Sequence, residues 1–171
     1  MTVTILVVVA LMSLAQSPVS SGPSEPIDVE AIVDAPVGAV WDAFTTKAGI
    51  ESWMTAAGDV DLRIGGLMKT SYRRGADLNG DTAIHQSILS IDPGRMLSFR
   101  TVKSPKDFPF ADVIAQTWTV IYMEPAGAGR TKVTARMLGY TSAPDSQKMR
   151  AFFKTGNKAT LDSLVKTFAI R

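Results

Sequence analysis

The stretch IDVEAIVDAPVGAVWDAFTTKAGIESWM, Ile27 to Met54, decides the fold. Ile27 to Val33 reads as a strand, and Asp34-Ala35-Pro36 ends it. Pro36 suits the first turn of a helix, where its missing N–H would have had no partner. Val37, Val40, Trp41 and Phe44 follow at i, i+3, i+4 and i+7, so one apolar face runs through two bulky aromatics. The spacing predicts a helix from Pro36 to about Thr46. A second short helix over Lys47 to Met54, bounded by Gly49 and Gly58, puts Trp53 near the end of the helical pair. Such a face needs a sheet to cover, and the rest of the chain supplies strands.

Downstream, Val60 and Leu62 share one face and Asp61 and Arg63 the other, which predicts a half-buried strand over Asp59 to Arg63. Gly65-Gly66 turns the chain into a strand from Leu67 to Arg74. Gly75 to Asp81 is turn-prone, and a strand follows over Thr82 to Ile91. Asp92-Pro93-Gly94 makes a tight turn. Met96 to Val102 returns with Leu97, Phe99 and Thr101 on one side. Ser104 to Phe110 (SPKDFPF) is too irregular for a strand; it reads as a loop that tucks its aromatics inward, of the kind that caps pockets. Ile114 to Glu124 gives the longest strand pattern, and Pro125 to Gly129 joins it to Arg130 to Leu138 as a hairpin. Ser142-Ala143-Pro144-Asp145 signals a helix start. From there Met149, Phe152, Phe153, Gly156, Leu161, Leu164, Val165 and Phe168 hold helical spacing, with Lys148, Arg150, Lys154, Lys158 and Lys166 mainly on the opposite face. The adjacent Phe152 and Phe153 are expected to point at the sheet.

With 171 residues the chain is long enough for one domain with a real core, expected over residues 27–171. A net charge of +2 without a dense Lys/Arg stripe argues against nucleic acid as a partner. Cysteine is absent, which excludes a disulfide framework, a thiolate nucleophile and Cys-based zinc. The first 24 residues carry no charged side chain, and Thr2 to Met12 is almost entirely apolar ahead of Ser13-Leu14-Ala15. That pattern is expected to be a signal peptide, residues 1–15, cut after Ala15, with the mature protein exported to the periplasm or the exterior. An uncleaved N-terminal membrane anchor is the alternative, and the protein's one route to a membrane, although Gln16-Ser17-Pro18 interrupts the run short of a full span. Residues 16–26 (QSPVSSGPSEP) read as a flexible leader.

The order strand, two short helices, about six antiparallel strands and one long helix resembles the helix-grip fold of the START-like (SRPBCC) superfamily. Within it, the chain is similar to the branch related to the activator of heat-shock protein 90 ATPase. The resemblance rests on Ala35-Pro36-Val37 with Val40 to Thr45, Trp53-Met54, Arg63 to Gly66, Ile88 to Leu97, Gly129 to Val133, and Gly139 ahead of the last helix; it covers about Ile27 to Ile170. It implies an α+β fold in which a curved antiparallel sheet wraps a long C-terminal helix, leaving an apolar cavity between them. Relatives include lipid and hormone carriers, polyketide cyclases and co-chaperone domains, so the motifs specify fold far better than function.

Cavity candidates are Trp53, Phe99, Trp118, Tyr140, Phe152 and Phe153 among the aromatics; each also reads as simple core. His85, the single histidine, is read first as a partly buried or edge residue bonded to a neighbour, and second as a cavity acid/base. Arg74 beside Arg73 could hold an anionic group at a cavity mouth, or simply end a strand in solvent. The pairs Asp59/Asp61 and Asp77/Asp81 lie in or beside turns, where aspartate serves turn hydrogen bonds. Gly65-Gly66 and Gly127 to Gly129 lack the context of phosphate loops. No catalytic set, metal site or cofactor motif emerges. The leading expectation is therefore a non-catalytic binder of a small apolar or amphipathic molecule. A cyclase- or aromatase-like enzyme using His85, Tyr140 or Arg74 comes second. A co-chaperone comes last, because an exported protein would not meet cytosolic heat-shock protein 90.

Overall fold

The computed structural model describes residues 22–169, so the expected signal peptide over residues 1–15 and leader residues 16–21 lie outside the described residues. The elements run β1 (Ile27–Val33), α1 (Val37–Thr45), α2 (Lys47–Trp53), β2 (Ala57–Val60), β3 (Leu67–Ser71), β4 (Ile84–Asp92), β5 (Met96–Lys103), α3 (Ala111–Ile114), β6 (Trp118–Pro125), β7 (Thr131–Leu138) and α4 (Pro144–Ala169). The seven strands form one antiparallel sheet in the order β1-β7-β6-β5-β4-β3-β2. Strands β2 to β7 are thus a meander, and β1 returns beside β7. Together with the long C-terminal α4, this is the α+β helix-grip architecture.

Pro36 occupies the N-cap of α1 with extended backbone, one position ahead of the helical turn, and Val40, Ala43 and Phe44 are buried behind it. Thr46 links the helical pair. Its backbone N–H and hydroxyl both donate to the Asp42 carbonyl, while its Oγ1 accepts from the N–H of Gly49 at the start of α2. Satisfying these helix-end groups fixes the angle between α1 and α2. A side chain at Gly49 would collide with the Asp42 carbonyl at 2.0 Å, so the corner is built around its absence.

Two sequence expectations shift. The strand expected over Asp59 to Arg63 is instead β2 at Ala57–Val60. Asp61 to Gly66 forms the turn into β3, with the Asp61 N–H bonded to the Leu67 carbonyl, and Leu62 is exposed. The strand expected over Ile114 to Glu124 starts only at Trp118. Ile114 belongs to the short α3 and is buried there, because the inward-facing loop needs an anchor that a four-residue helical turn supplies.

Buried apolar residues form two clusters. The larger joins Val33, Val40, Phe44, Ile50 and Trp53 to Leu97, Ile121, Met123, Val133, Leu161, Leu164 and Phe168. The smaller, at the other end, joins Ile27, Ile114, Met137, Tyr140 and Met149. Helix α4 spans both, entering the smaller through Met149 and the larger through Leu161, Leu164 and Phe168. From Arg150 to Thr160, three turns of helix, no side chain is buried. Residues 22–26 run beside the start of α4. Pro23 bridges Thr141, the Ser24 N–H donates to the Tyr140 carbonyl, and Arg150 Nε donates to the Glu25 carbonyl. Among the described residues no helix is long and apolar enough to cross a membrane.

Candidate functional site

Between the two clusters, under the middle of α4, lies a cavity of about 360 Å³. Strand parity builds its floor. Ile84 and Gln86 of β4, Phe99 and Thr101 of β5, Thr119 and Ile121 of β6, and Ala135 and Met137 of β7 all face it, two residues apart in each strand. The register confirms one surface: Gln86 stands opposite Thr101, Phe99 opposite Thr119, and Thr119 opposite Met137. Phe153, Asn157, Thr160 and Leu161 of α4 form the roof, at the helical spacing that keeps them on one face. Phe44, Trp53 and Met54 close one end; Ser104, Pro105, Phe108 and Ile114 stand at the other.

The end walls are held by specific bonds. Trp53 Nε1–H donates to the buried Ala43 carbonyl at 2.9 Å, and its ring meets Phe44 edge-on at 4.9 Å between centroids. Ser163 Oγ donates to the Trp53 carbonyl at 2.9 Å, tying α4 to α2. At the other end Phe108, Phe110, Phe152 and Phe153 pack ring against ring, with centroids 5.2 to 6.2 Å apart. Of Phe152 and Phe153, both expected to point at the sheet, Phe153 packs against the smaller cluster, which holds the sheet residues Ile27 and Met137, while Phe152 stays largely in solvent. Both phenylalanines line the cavity, yet their ring partners are the loop phenylalanines, and Phe152 is 52% exposed.

Of the residues singled out from sequence, Trp53, Phe99, Phe152 and Phe153 come together around the cavity. Arg74, His85, Trp118 and Tyr140 do not line it. Arg74 is exposed in the turn after β3. Trp118 precedes the inward-facing Thr119, so parity puts it on the opposite face of β6, where it is 39% exposed and paired with Leu138. His85 is likewise one residue out of step with Ile84 and Gln86. It stands between Lys69 and Lys103 of the flanking strands. There Nε2 lies 2.6 Å from the Leu78 carbonyl, an acceptor only, so that nitrogen carries the proton and donates. Lys69 Nζ donates to Asn79 Oδ1, and Lys103 Nζ to the carbonyls of Asn79 and Gly80. The three side chains together clasp the 78–80 turn.

Tyr140 sits behind the cavity wall. It is buried in the smaller cluster, and its hydroxyl donates to Met137 Sδ at 2.9 Å. Burial pushes its phenol far above the ordinary tyrosine range, a rise that the Arg150 charge only partly offsets. It therefore keeps its proton throughout the physiological range.

Sequence reasoning did not single out Gln86, Thr101, Thr119, Asn157 or Thr160 as lining residues. The signal was present in β4, where a glutamine interrupts the apolar series Ile84, Ile88 on one face. In α4, Asn157 and Thr160 continue the spacing set by Phe153. No carboxylate, imidazole, ammonium or guanidinium lines the cavity. Among the described residues no three His, Cys, Asp or Glu side chains gather as metal ligands would.

Residues 34–169 match the family described as Activator of Hsp90 ATPase homolog 1-like protein. Among solved structures, protein MLL2253 from Mesorhizobium loti superposes with a TM-score of 0.65 at 21% identity, over 84% of this chain and 96% of that one. The Aha1 dimer from Colwellia psychrerythraea gives a TM-score of 0.66 at 16% identity, over 85% and 96%. The di-domain ARO/CYC BexL from the BE-7585A biosynthetic pathway gives 0.66 at 18% identity, over 84% of this chain and 46% of that one. At these identities the likeness is one of fold. A comparison with curated proteins finds no match.

Proposed function

The chain belongs to the Activator of Hsp90 ATPase homolog 1-like protein family, and on that scaffold we propose that it binds a small hydrophobic or amphipathic molecule between sheet and C-terminal helix, without transforming it. The observation that carries this reading is the three-turn span of α4 that buries no side chain above a cavity of about 360 Å³. That volume lies at the lower end of ordinary small-molecule sites, roughly 300 to 1,000 Å³. A non-catalytic role is favoured over a cyclase-like one because Arg74, His85 and Tyr140, the groups singled out from sequence as able to move a proton, stand outside the lining, where the one phenol is that of the largely exposed Tyr72. Export belongs to the same proposal, with the N-terminal segment removed after Ala15; sequencing the N-terminus of the mature protein tests it.

The test of binding uses N-phenyl-naphthylamine, a neutral probe that fluoresces when shielded from water. The full chain should enhance its emission saturably, and Ala135→Phe, which fills the floor, should abolish the enhancement while the protein stays folded. Unchanged probe binding by A135F, or no saturable binding by the wild type, refutes the reading. A second reading, stimulation of a heat-shock protein 90 ATPase, is favoured by the family match alone. Its test is ATP turnover by the purified chaperone with and without this chain.

A further inference from the structure

The cavity lining is mainly apolar; a stripe of uncharged polar groups crosses its floor, and Tyr72, Ser104, Asn157 and Thr160 add uncharged polar groups elsewhere in the lining. Gln86 and Thr101 are direct cross-strand partners on β4 and β5, and Thr119 on β6 stands opposite Phe99, the next inward residue after Thr101. None of these three side chains makes a hydrogen bond among the described residues, and all three are only partly buried, so their polar atoms open onto the cavity. Above them Asn157 reaches down from α4, its amide engaged only with the weak acceptor Met137 Sδ at 3.6 Å. The carboxamides supply donors and acceptors from floor and roof, and the two threonine hydroxyls can do either.

Resting on the binding reading above, we propose that the cavity selects an uncharged amphiphile, one carrying a hydroxyl or carbonyl on an apolar and preferably aromatic body, through Gln86 as the specificity-determining residue with Thr101 beside it. Two physical facts drive the selection. A ligand oxygen seated against Gln86 gains hydrogen bonds that a hydrocarbon cannot make, while a hydrocarbon leaves those amide groups dry and unpaired. A carboxylate or ammonium entering the same place would lose its hydration with no opposite charge in the lining to replace it. Phe99, Phe108 and Phe153 favour a ring system by edge and face contacts.

Isothermal titration of the full chain with naphthol, naphthalene and naphthoate at neutral pH separates the terms, because the three share one ring body. Naphthol is expected to bind about tenfold more tightly than naphthalene, the worth of one to two neutral hydrogen bonds, and naphthoate more weakly than either. Gln86→Leu should bring naphthol down to the affinity of naphthalene and leave naphthalene unchanged or tighter. Thr101→Val, nearly isosteric, should weaken naphthol in the same direction by a smaller factor. Naphthoate binding as tightly as naphthol, or Q86L weakening all three probes alike, overturns the selection while leaving a binding cavity in place. Failure of all three probes to bind overturns the binding reading and this inference with it.

Discussion

Trp53→Phe isolates one hydrogen bond that the wall of the cavity depends on. Helix α1 ends at Thr45, and its last carbonyls have no partner within the helix. The Asp42 carbonyl is taken by Thr46; the Ala43 carbonyl is taken by the indole N–H of Trp53, ten residues on, at 2.9 Å in a buried setting. Phenylalanine keeps the ring contact with Phe44 but removes the donor, leaving a buried acceptor bare at a cost of about 1 to 3 kcal/mol. The lost second ring adds about 1 kcal/mol through the space it vacates. The sum, about 2 to 4 kcal/mol, corresponds to a fall in melting temperature of about 5 to 15 °C for a domain of this size. Urea unfolding followed by far-ultraviolet circular dichroism measures it without relying on tryptophan emission. Trp41→Phe is the control, since Trp41 is only partly buried and its indole makes no hydrogen bond among the described residues. It should cost under about 1 kcal/mol. Equal losses in the two variants, or a W53F loss below about 0.5 kcal/mol, would refute the capping argument.

Tyr140 predicts an alkaline limb of stability. Its phenol is held above the ordinary value near 10 in the folded chain, so above that pH the unfolded state releases a proton that the folded state retains, and stability must fall as pH rises. Denaturant unfolding should show a loss of up to about 1.4 kcal/mol per pH unit above pH 10, absent in Tyr140→Phe; parallel curves for the two proteins would contradict it. Gly139→Ala should be severely destabilising, by about 3 kcal/mol or more, because φ is +89° and the new Cβ would sit 2.3 Å from the Gln116 carbonyl oxygen. Gly75→Ala shares a positive φ of +68° but meets open space, so about 1 kcal/mol is expected; comparable thermal shifts for the two would show that the clash is relieved elsewhere.

Local pattern carried the reading wherever the physics is local. The i, i+3, i+4, i+7 series from Val37 to Phe44, the proline ahead of it, and the glycines of the turns are consequences of backbone geometry, and each element they implied is present. The two shifted strands have the same cause. Val60 with Leu62, and Ile114 with the residues after it, carry a strand-like pattern, but pairing partners decide where a ladder ends. Asp61 turns back onto Leu67, and Ile114 is needed as an anchor in the smaller cluster.

By itself, the sequence determined the order of the strands, the helical pair and the long C-terminal helix, though not α3, together with the helix-grip class and the supply of aromatics for a cavity. Tertiary structure alone decided which residues the cavity owns. In a strand, a step of one residue moves a side chain to the other face. Register therefore sends His85 and Trp118 outward and turns Gln86 and Thr119 inward. In α4 the apolar series lapses between Phe153 and Leu161, over Lys154 to Thr160, but the sequence does not say what that gap faces. Only the tertiary packing shows that these middle turns of α4 bury no side chain and roof an open space instead. Composition and spacing encode what a residue can do in its own neighbourhood; which neighbourhood it meets is set by strand register and by the gap that long-range packing leaves.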